Sequence, residues 1–304
     1  MDFHVFPTLY QTMKKADPTT GSPSDYYSKA LAASYGTGQV ITISQLEAER
    51  AWGKAKKPYY NIYPSILPML TKLNLDIRSS LISLPMDTLC IRLPKSLTTK
   101  TLSFSFQGEQ YAVRSILVSK ANVLRERGLT LWIDIGEVSR LPNPYGGTFE
   151  IPFLTYRNFR CAEGNTVEED LQVLPVEEES RIGVLIPTEI EHNCVRLCCS
   201  LCLMQHDPDI VSPDVLSKDL TKYEETLDPK YIEKAHRRGK VGWRVGASIE
   251  TIPHVRRPHP AIVWTGKGRK IPRIVLRKGS IVHRSVVEKL PTGFENPSNE
   301  EDHG

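Results

Sequence analysis

The chain has 304 residues, enough for one large domain or two of ordinary size, and its 40% hydrophobic and 24% charged residues are typical of a globular protein. No apolar run reaches the roughly 18 residues that a membrane-spanning helix needs. The N-terminus lacks the basic segment and apolar core of a secretion signal, so we expect a cytoplasmic protein with no membrane partner. The six cysteines do not form a disulfide framework, which also fits a reducing compartment.

The net charge of +4 is unevenly distributed. Between positions 231 and 290 there are fifteen lysines and arginines against three glutamates, so the rest of the chain is acidic. A basic third on an acidic body predicts an anionic partner for that third, and nucleic acid is the commonest such partner. The alternative is a basic face that neutralises the acidic body.

The first 80 residues are predicted to form a helical region. Ser24 and Asp25 are suited to cap one helix, and Ser44 with Glu47 forms a capping-box pattern at the start of a second. The segment 58–75 is rich in tyrosine at its start, and its isoleucines and leucines then have the spacing of one face of a short helix.

Three tyrosines at the start of that segment have two interpretations: Tyr59, Tyr60 and Tyr63. Their rings could line a groove that binds a peptide, or stack on nucleic-acid bases. They could equally be core side chains at the entry to the helix, which is the more usual position of aromatic residues.

From position 83 the spacing of apolar residues becomes alternating, which predicts strands. Residues 101–106 and 111–118 are predicted to form a β-hairpin around a turn at 107–109. A strand at 129–135 is predicted to end at Gly136. With further strands near 84–93 and 149–156, the pattern indicates an antiparallel sheet over 83–156.

The second half is predicted to contain two helices. Thr166 is suited to cap an acidic, solvated helix, and a long apolar helix is predicted from Ile190 to position 204. Four cysteines lie in this second helix, at positions 194, 198, 199 and 202. Four thiols on one continuous helix cannot surround a zinc ion tetrahedrally, so we interpret them as core residues and predict no metal or cofactor.

Toward the C-terminus the sequence predicts a short basic helix at 231–238, a strand at 243–249 and a disordered tail at 291–304. The fold class is therefore α+β. Its predicted parts are a helical N-terminal region at 1–80 and an α+β domain at 81–290, with a central antiparallel sheet, a long apolar helix and a basic β-rich C-terminal segment.

The segment 253–284 (PHVRRPHPAIVWTGKGRKIPRIVLRKGSIVHR) is the densest group of basic residues in the chain. Pro253, Pro258 and Pro260 exclude a helix here, so the pattern predicts a strand, a tight basic connection and a second strand. The arginines and lysines are suited to bind phosphates, and Trp264 to stack on a base. These candidate nucleic-acid-binding residues are Arg256, Arg257, Lys267, Arg269, Lys270, Arg273 and Arg277.

Chemistry on RNA is an alternative for the same segment. His254 and His259 could act as base and acid, with Arg257 stabilising a phosphate, and no metal would be needed. A third possibility is that these side chains only bridge to the acidic half of the protein. The chain has no zinc-protease, phosphate-binding-loop or serine-hydrolase motif, so an enzyme is not the favoured interpretation.

The same segment resembles the C-terminal signature of a phage-borne anti-CRISPR family, whose founding member blocks production of the type V-A effector nuclease. The matching positions are Pro253, His254, Arg256, Arg257, His259, Gly266, Gly268 and Arg273. Three upstream stretches also resemble the family: LPMDTLCIRLP (84–94), LCLMQHDPDI (201–210) and WRVGASI (243–249). The resemblance covers about residues 80–285 in the same order.

The resemblance implies a protein of a phage or mobile element that lowers synthesis of a chosen protein in the bacterial cytoplasm. In the family, a nascent peptide is recognised and its message is lost. The implied partners are therefore a nascent polypeptide, the ribosome–mRNA complex, or both. The remaining alternatives are a metal-independent ribonuclease and an inhibitor that binds protein without contacting RNA.

Overall fold

The computed structural model describes eleven strands and five α-helices in a mixed α+β arrangement. The described residues are 2–16, 40–55, 57–96, 102–123, 126–142, 148–173, 186–205, 210–214, 242–246, 259–268 and 270–277. The helices are α1 Leu9–Ala16, α2 Val40–Lys54, α3 Leu67–Thr71, α4 Val167–Gln172 and α5 Thr188–Met204. The strands are β1 Tyr59–Ile62, β2 Thr88–Arg92, β3 Ser103–Phe106, β4 Glu109–Ala112, β5 Ser115–Val123, β6 Glu126–Pro142, β7 Thr148–Arg160, β8 Val211–Pro213, β9 Gly242–Val245, β10 His259–Thr265 and β11 Ile271–Arg277.

Seven of the strands form one sheet, in the order β7-β6-β5-β2-β1-β9-β8. The pairs from β7 to β2 are antiparallel, whereas β1 is parallel to both β2 and β9. The predicted antiparallel sheet over 83–156 is therefore one part of a larger mixed sheet. Local alternation does not show which strands pair, and the parallel pairing of β1 with β9 joins segments far apart in the sequence.

Helices cover both faces of this sheet. The larger core includes Tyr60 and Ile62 of β1 with buried residues of α3 and α5, and the smaller core includes Tyr59 with Trp52 of α2 and Phe6. Successive residues of a strand point to opposite faces, so β1 contributes to both cores and all four of its side chains are buried. This central position makes 59–62 a strand instead of the predicted helix entry.

One helix predicted near the N-terminus begins earlier than expected, and another lies outside the described residues. The helix expected to start at Ser44 begins at Val40, so Ser44 is a residue of its first turns and not its cap. The helix propensities of ordinary residues differ by only about 0.7 kcal/mol, and packing against the sheet can override them. The helix predicted from Ser24 lies outside the described residues.

The hairpin predicted around position 107 is confirmed as β3 and β4, but it is shorter than expected. Its turn has positive φ at Gln107 (50°) and Gly108 (86°), the backbone that favours a two-residue hairpin turn. After Ala112 the chain leaves this hairpin, and β5 begins at Ser115 in the main sheet. Gly136 does not end its strand; it lies at a bulge in β6 between Asp134 and Val138.

The helices of the second half lie where they were predicted. Thr166 caps α4 in a capping box with Glu169. The helix α5 covers the segment predicted from Ile190, and its four cysteines are buried, which confirms their assignment to the core. It is less apolar than the predicted long apolar helix, because Glu191, Asn193 and Ser200 are also buried in it.

Within the described ranges, no helix has the length and hydropathy to cross a bilayer. The strand predicted at 243–249 is present as β9, and its last predicted residues lie beyond the described part. The basic helix predicted at 231–238 and the tail at 291–304 are also outside it. The division at residue 80 and the other predicted domain boundaries stay predictions.

Candidate nucleic-acid interface

The basic segment contains an antiparallel hairpin, as its sequence predicted. Strand β10 pairs with β11 from His259 opposite Arg277 to Thr265 opposite Ile271. The connection needs two glycines, because Gly266 and Gly268 have φ values of 79° and 77°. A Cβ added to Gly266 would lie 3.0 Å from the Ile271 side chain, so a larger residue would also disturb the end of the hairpin.

This hairpin is fixed to the fold by its apolar face. Ile274 of β11 is fully buried in the larger core, and Ile262, directly opposite it in β10, packs against the same core. Strand β11 contacts α5, and strand β10 contacts α3. The alternation of strand side chains then directs Arg273 to the outer face, where it is exposed.

Three cations of the hairpin are exposed together: Lys267 and Lys270 in and after the turn, and Arg273 in β11. Among the residues that the structure describes, none of these three has a carboxylate within ion-pair distance. Cations without acidic partners retain their attraction for anions, so this surface is suited to bind phosphate groups. Trp264, opposite Pro272 in the hairpin, is 44% exposed.

The structure places only part of the predicted nucleic-acid set. Lys267, Lys270 and Arg273 lie on one hairpin, and Arg277 occupies the last position of the same strand. His259 begins β10 at the position opposite Arg277. The other predicted members of the segment are outside the described residues: His254, Arg256, Arg257 and Arg269.

The three tyrosines proposed for peptide binding are on or just after β1. Tyr59 and Tyr60 are buried, as the core interpretation expected, and Tyr63 is half-buried. The Tyr60 ring stacks on Trp243 with centroids 4.7 Å apart, and the Tyr63 ring lies 5.4 Å from that of Phe3. Binding of a peptide by these residues stays a prediction.

A polar cluster surrounds Tyr59, and the sequence alone does not predict it. The Tyr59 hydroxyl and the Asn61 amide both donate to Asp214, at 2.9 and 2.8 Å, and the Arg92 guanidinium lies 3.9 Å from the Tyr59 ring centroid. Burial and the Asp214 carboxylate raise the pKa of Tyr59 to about 12, so its hydroxyl remains a donor. The cluster ties the residue after β8 to the centre of the sheet.

That cluster continues as a row of polar residues across three parallel strands. Arg92 of β2 and Arg244 of β9 are both in register with Asn61 of β1. No local sequence signal joins Arg244 to Asn61, because they lie on strands that are more than 150 residues apart in the sequence. The hydrogen bond from Asn61 to Asp214 likewise spans 153 residues.

Comparisons with known proteins identify no family. No family model matches the chain, and no curated protein matches it. Three solved chains match, and one of these is described as the crystal structure of AcrVA2. That similarity has a TM-score of 0.47 and 15% sequence identity, and covers 90% of this chain and 91% of the other. At this TM-score and identity, it establishes neither the family nor the activity of the chain.

Proposed function

We propose that the chain is an anti-CRISPR-like regulator that binds a nascent peptide and promotes loss of the mRNA that encodes it. The observation that carries the RNA part is the hairpin β10–β11, which presents Lys267, Lys270 and Arg273 without acidic partners among the described residues. The peptide part rests on the family resemblance of the C-terminal segment. The site of action would be the bacterial cytoplasm.

The construction of the hairpin supports the resemblance at the level of individual residues. Gly266 and Gly268, the two glycines of the family pattern, have backbone angles that disfavour other residues. Arg273, the arginine of the following strand, is exposed while its neighbour Ile274 anchors the strand in the core. The pattern therefore combines residues that shape the hairpin with one that faces a partner.

The chemistry of the surface favours phosphate contacts over base recognition. Lysine and arginine on an exposed turn attract any anionic backbone, whereas sequence is read mainly through contacts with base edges. Trp264 adds a ring that is suited to stack on an unpaired base. Selectivity for one message would then come from the nascent peptide, and the hairpin would supply affinity for RNA near the ribosome.

RNA binding by the hairpin can be measured by fluorescence anisotropy with a labelled single-stranded RNA over a range of salt concentrations. Replacing Lys267, Lys270 and Arg273 by alanine should reduce the slope of log K against log salt by about 2, because each single-strand phosphate contact contributes about 0.7. The matched control replaces one exposed arginine and two exposed lysines elsewhere by alanine, none of which has an ion pair among the described residues: Arg50, Lys54 and Lys72. An equal reduction in the two triple variants would contradict a specific role for the hairpin.

An incubation of the same purified protein with RNA distinguishes RNA binding from RNA cleavage. RNA incubated with it in EDTA should stay intact if the chain only binds. Metal-independent cleavage that His254→Ala abolishes would instead support a ribonuclease. Absence of RNA binding at low salt would leave the protein-binding inhibitor as the better account.

A further inference from the structure

A cavity of about 250 Å³ opens beside the bulge in β6, and none of its lining residues belongs to the basic hairpin. One side is formed by the N-terminal segment, through His4, Val5 and Pro7, and the other by the sheet. The volume is below the roughly 300–1,000 Å³ of sites that take drug-sized ligands. The cavity therefore suits a small molecule.

Arg114 provides a cationic group at this cavity. Its side chain is exposed, and within the described part of the chain it makes no ion pair or side-chain hydrogen bond. The guanidinium lies against Gly136, and a Cβ on that residue would overlap it. Gly136 thus leaves the space that the guanidinium occupies, in addition to adopting a φ of 87°.

Two carboxylates also line the cavity, but they differ in their partners. Asp134 is buried and accepts hydrogen bonds from Ser115 Oγ at 3.0 Å and from the Gly136 N–H at 2.8 Å. Glu137 is half-buried and, among described residues, has no hydrogen bond or ion pair, including with Arg114. The charge of Arg114 lowers the pKa of Asp134 against the rise caused by burial, so part of its field acts on that buried carboxyl. The guanidinium N–H groups of Arg114 and the Glu137 carboxylate nevertheless keep their hydrogen-bonding capacity for a ligand, since neither side chain has a hydrogen bond or ion pair among the described residues.

The remaining walls are apolar. Val5 is 60% exposed and Val138 is 55% exposed, and Pro7 and Pro152 lie beside them. Burial, with the nearby charges of Arg114 and Lys95, lowers the pKa of His4, so its imidazole is neutral near pH 7 and offers one donor and one acceptor. A ligand in this cavity would meet opposite charges and an apolar surface within a small space.

We propose that the cavity binds a free α-amino acid with an apolar side chain. Its carboxylate would pair with Arg114, which can donate two parallel hydrogen bonds, and its ammonium group would pair with Glu137. Its side chain would cover Val5 and Val138, which are otherwise exposed. A zwitterion meets both charged groups at once, whereas a simple anion would leave Glu137 unpaired.

Isothermal titration calorimetry on the full chain tests this proposal with L-valine, L-leucine and L-methionine as probes. At least one should bind saturably, with a Kd near or below about 1 mM. For the probe that binds, the N-acetyl derivative and the amide should each bind at least tenfold more weakly, because each lacks one of the two charges. No saturable binding by any of the three up to about 10 mM would overturn the proposal.

Variants then locate the site. Arg114→Ala should abolish binding and Glu137→Gln should weaken it, whereas Lys120→Ala, on the same strand as Ser115, should have no effect. Circular dichroism confirms that each variant is folded, which is expected because all three side chains project from the surface or a cavity wall. Undiminished binding by folded Arg114→Ala, or binding of the N-acetyl derivative equal to that of the free amino acid, would refute the assignment.

Discussion

A buried ion pair joins α5 to the sheet, and its removal tests how much this contact stabilises the fold. Arg157 Nε in β7 donates to Glu191 Oε2 in α5 at 2.7 Å, and the two side chains are only 8% and 7% exposed. Helix α5 also contacts strand β11 of the basic hairpin. We expect Arg157→Met to lower the free energy of unfolding and to weaken the contact between α5 and the hairpin.

The magnitude follows from the burial of both charges. Removing one partner of a buried pair costs about 3–5 kcal/mol, because the other charge stays in a poorly solvated site. Glu191→Leu should cost a similar amount, since it leaves Arg157 buried without its carboxylate. Replacing both residues by apolar ones of similar size should return the free energy of unfolding to within about 1 kcal/mol of the wild-type value or raise it.

Urea unfolding of the four proteins, followed by circular dichroism, measures this double-mutant cycle. A coupling free energy of about 3 kcal/mol or more is expected. A cost below about 1 kcal/mol for Arg157→Met would contradict the reasoning, because it would mean that Glu191 finds water or another donor. A double variant as unstable as the sum of the single ones would show that the residues act independently.

Three further substitutions have outcomes that the structure specifies. Burial raises the pKa of Glu49 to about 7, so the stability that its protonated form contributes is fully present below its ordinary pKa and is lost as the pH rises through about 7. The free energy of unfolding in urea should therefore fall between about pH 5 and pH 8, and Glu49→Gln should remove this fall. Gly136→Ala and Gly108→Ala should each be destabilising and should agree within about 1 kcal/mol in the same assay, because both glycines have positive φ and the Arg114 guanidinium beside Gly136 is the exposed end of a flexible side chain that can move away. Trp264→Ala should weaken single-stranded RNA binding by about 1–3 kcal/mol without changing its salt slope, as loss of stacking does.

The features predicted best from the sequence are those fixed by neighbouring residues. The turn at Gln107 and Gly108, the capping box of Thr166 and the glycine turn of the basic hairpin each depend on residues within a few positions. Helical spacing forbids the cysteines of α5 from converging on one ion and so predicts core positions, and all four are buried. Burial raises the pKa of Cys202 to about 12.

The features that were missed depend on pairing between distant segments. The sequence predicts a helix entry at Tyr59, because no local signal shows that β1 pairs with β2 on one side and with β9 on the other. The sequence predicts a strand end at Gly136, since a glycine that ends a strand and one that creates a bulge have the same local pattern. The cavity beside Arg114 needs the N-terminal segment to lie against β6, which sequence periodicity does not express.

Association with translating ribosomes is the most direct test of the proposed function. The tagged chain is expressed in a bacterial host, polysomes are separated on a sucrose gradient, and the messages that copurify with the chain are sequenced. We expect the chain in the polysome fractions, enrichment of one or a few messages, and a fall in their total amount. The triple alanine variant at Lys267, Lys270 and Arg273 should lose these effects, and the control variant at Arg50, Lys54 and Lys72 should keep them. A chain found only at the top of the gradient, with no message enriched or reduced, would contradict the account.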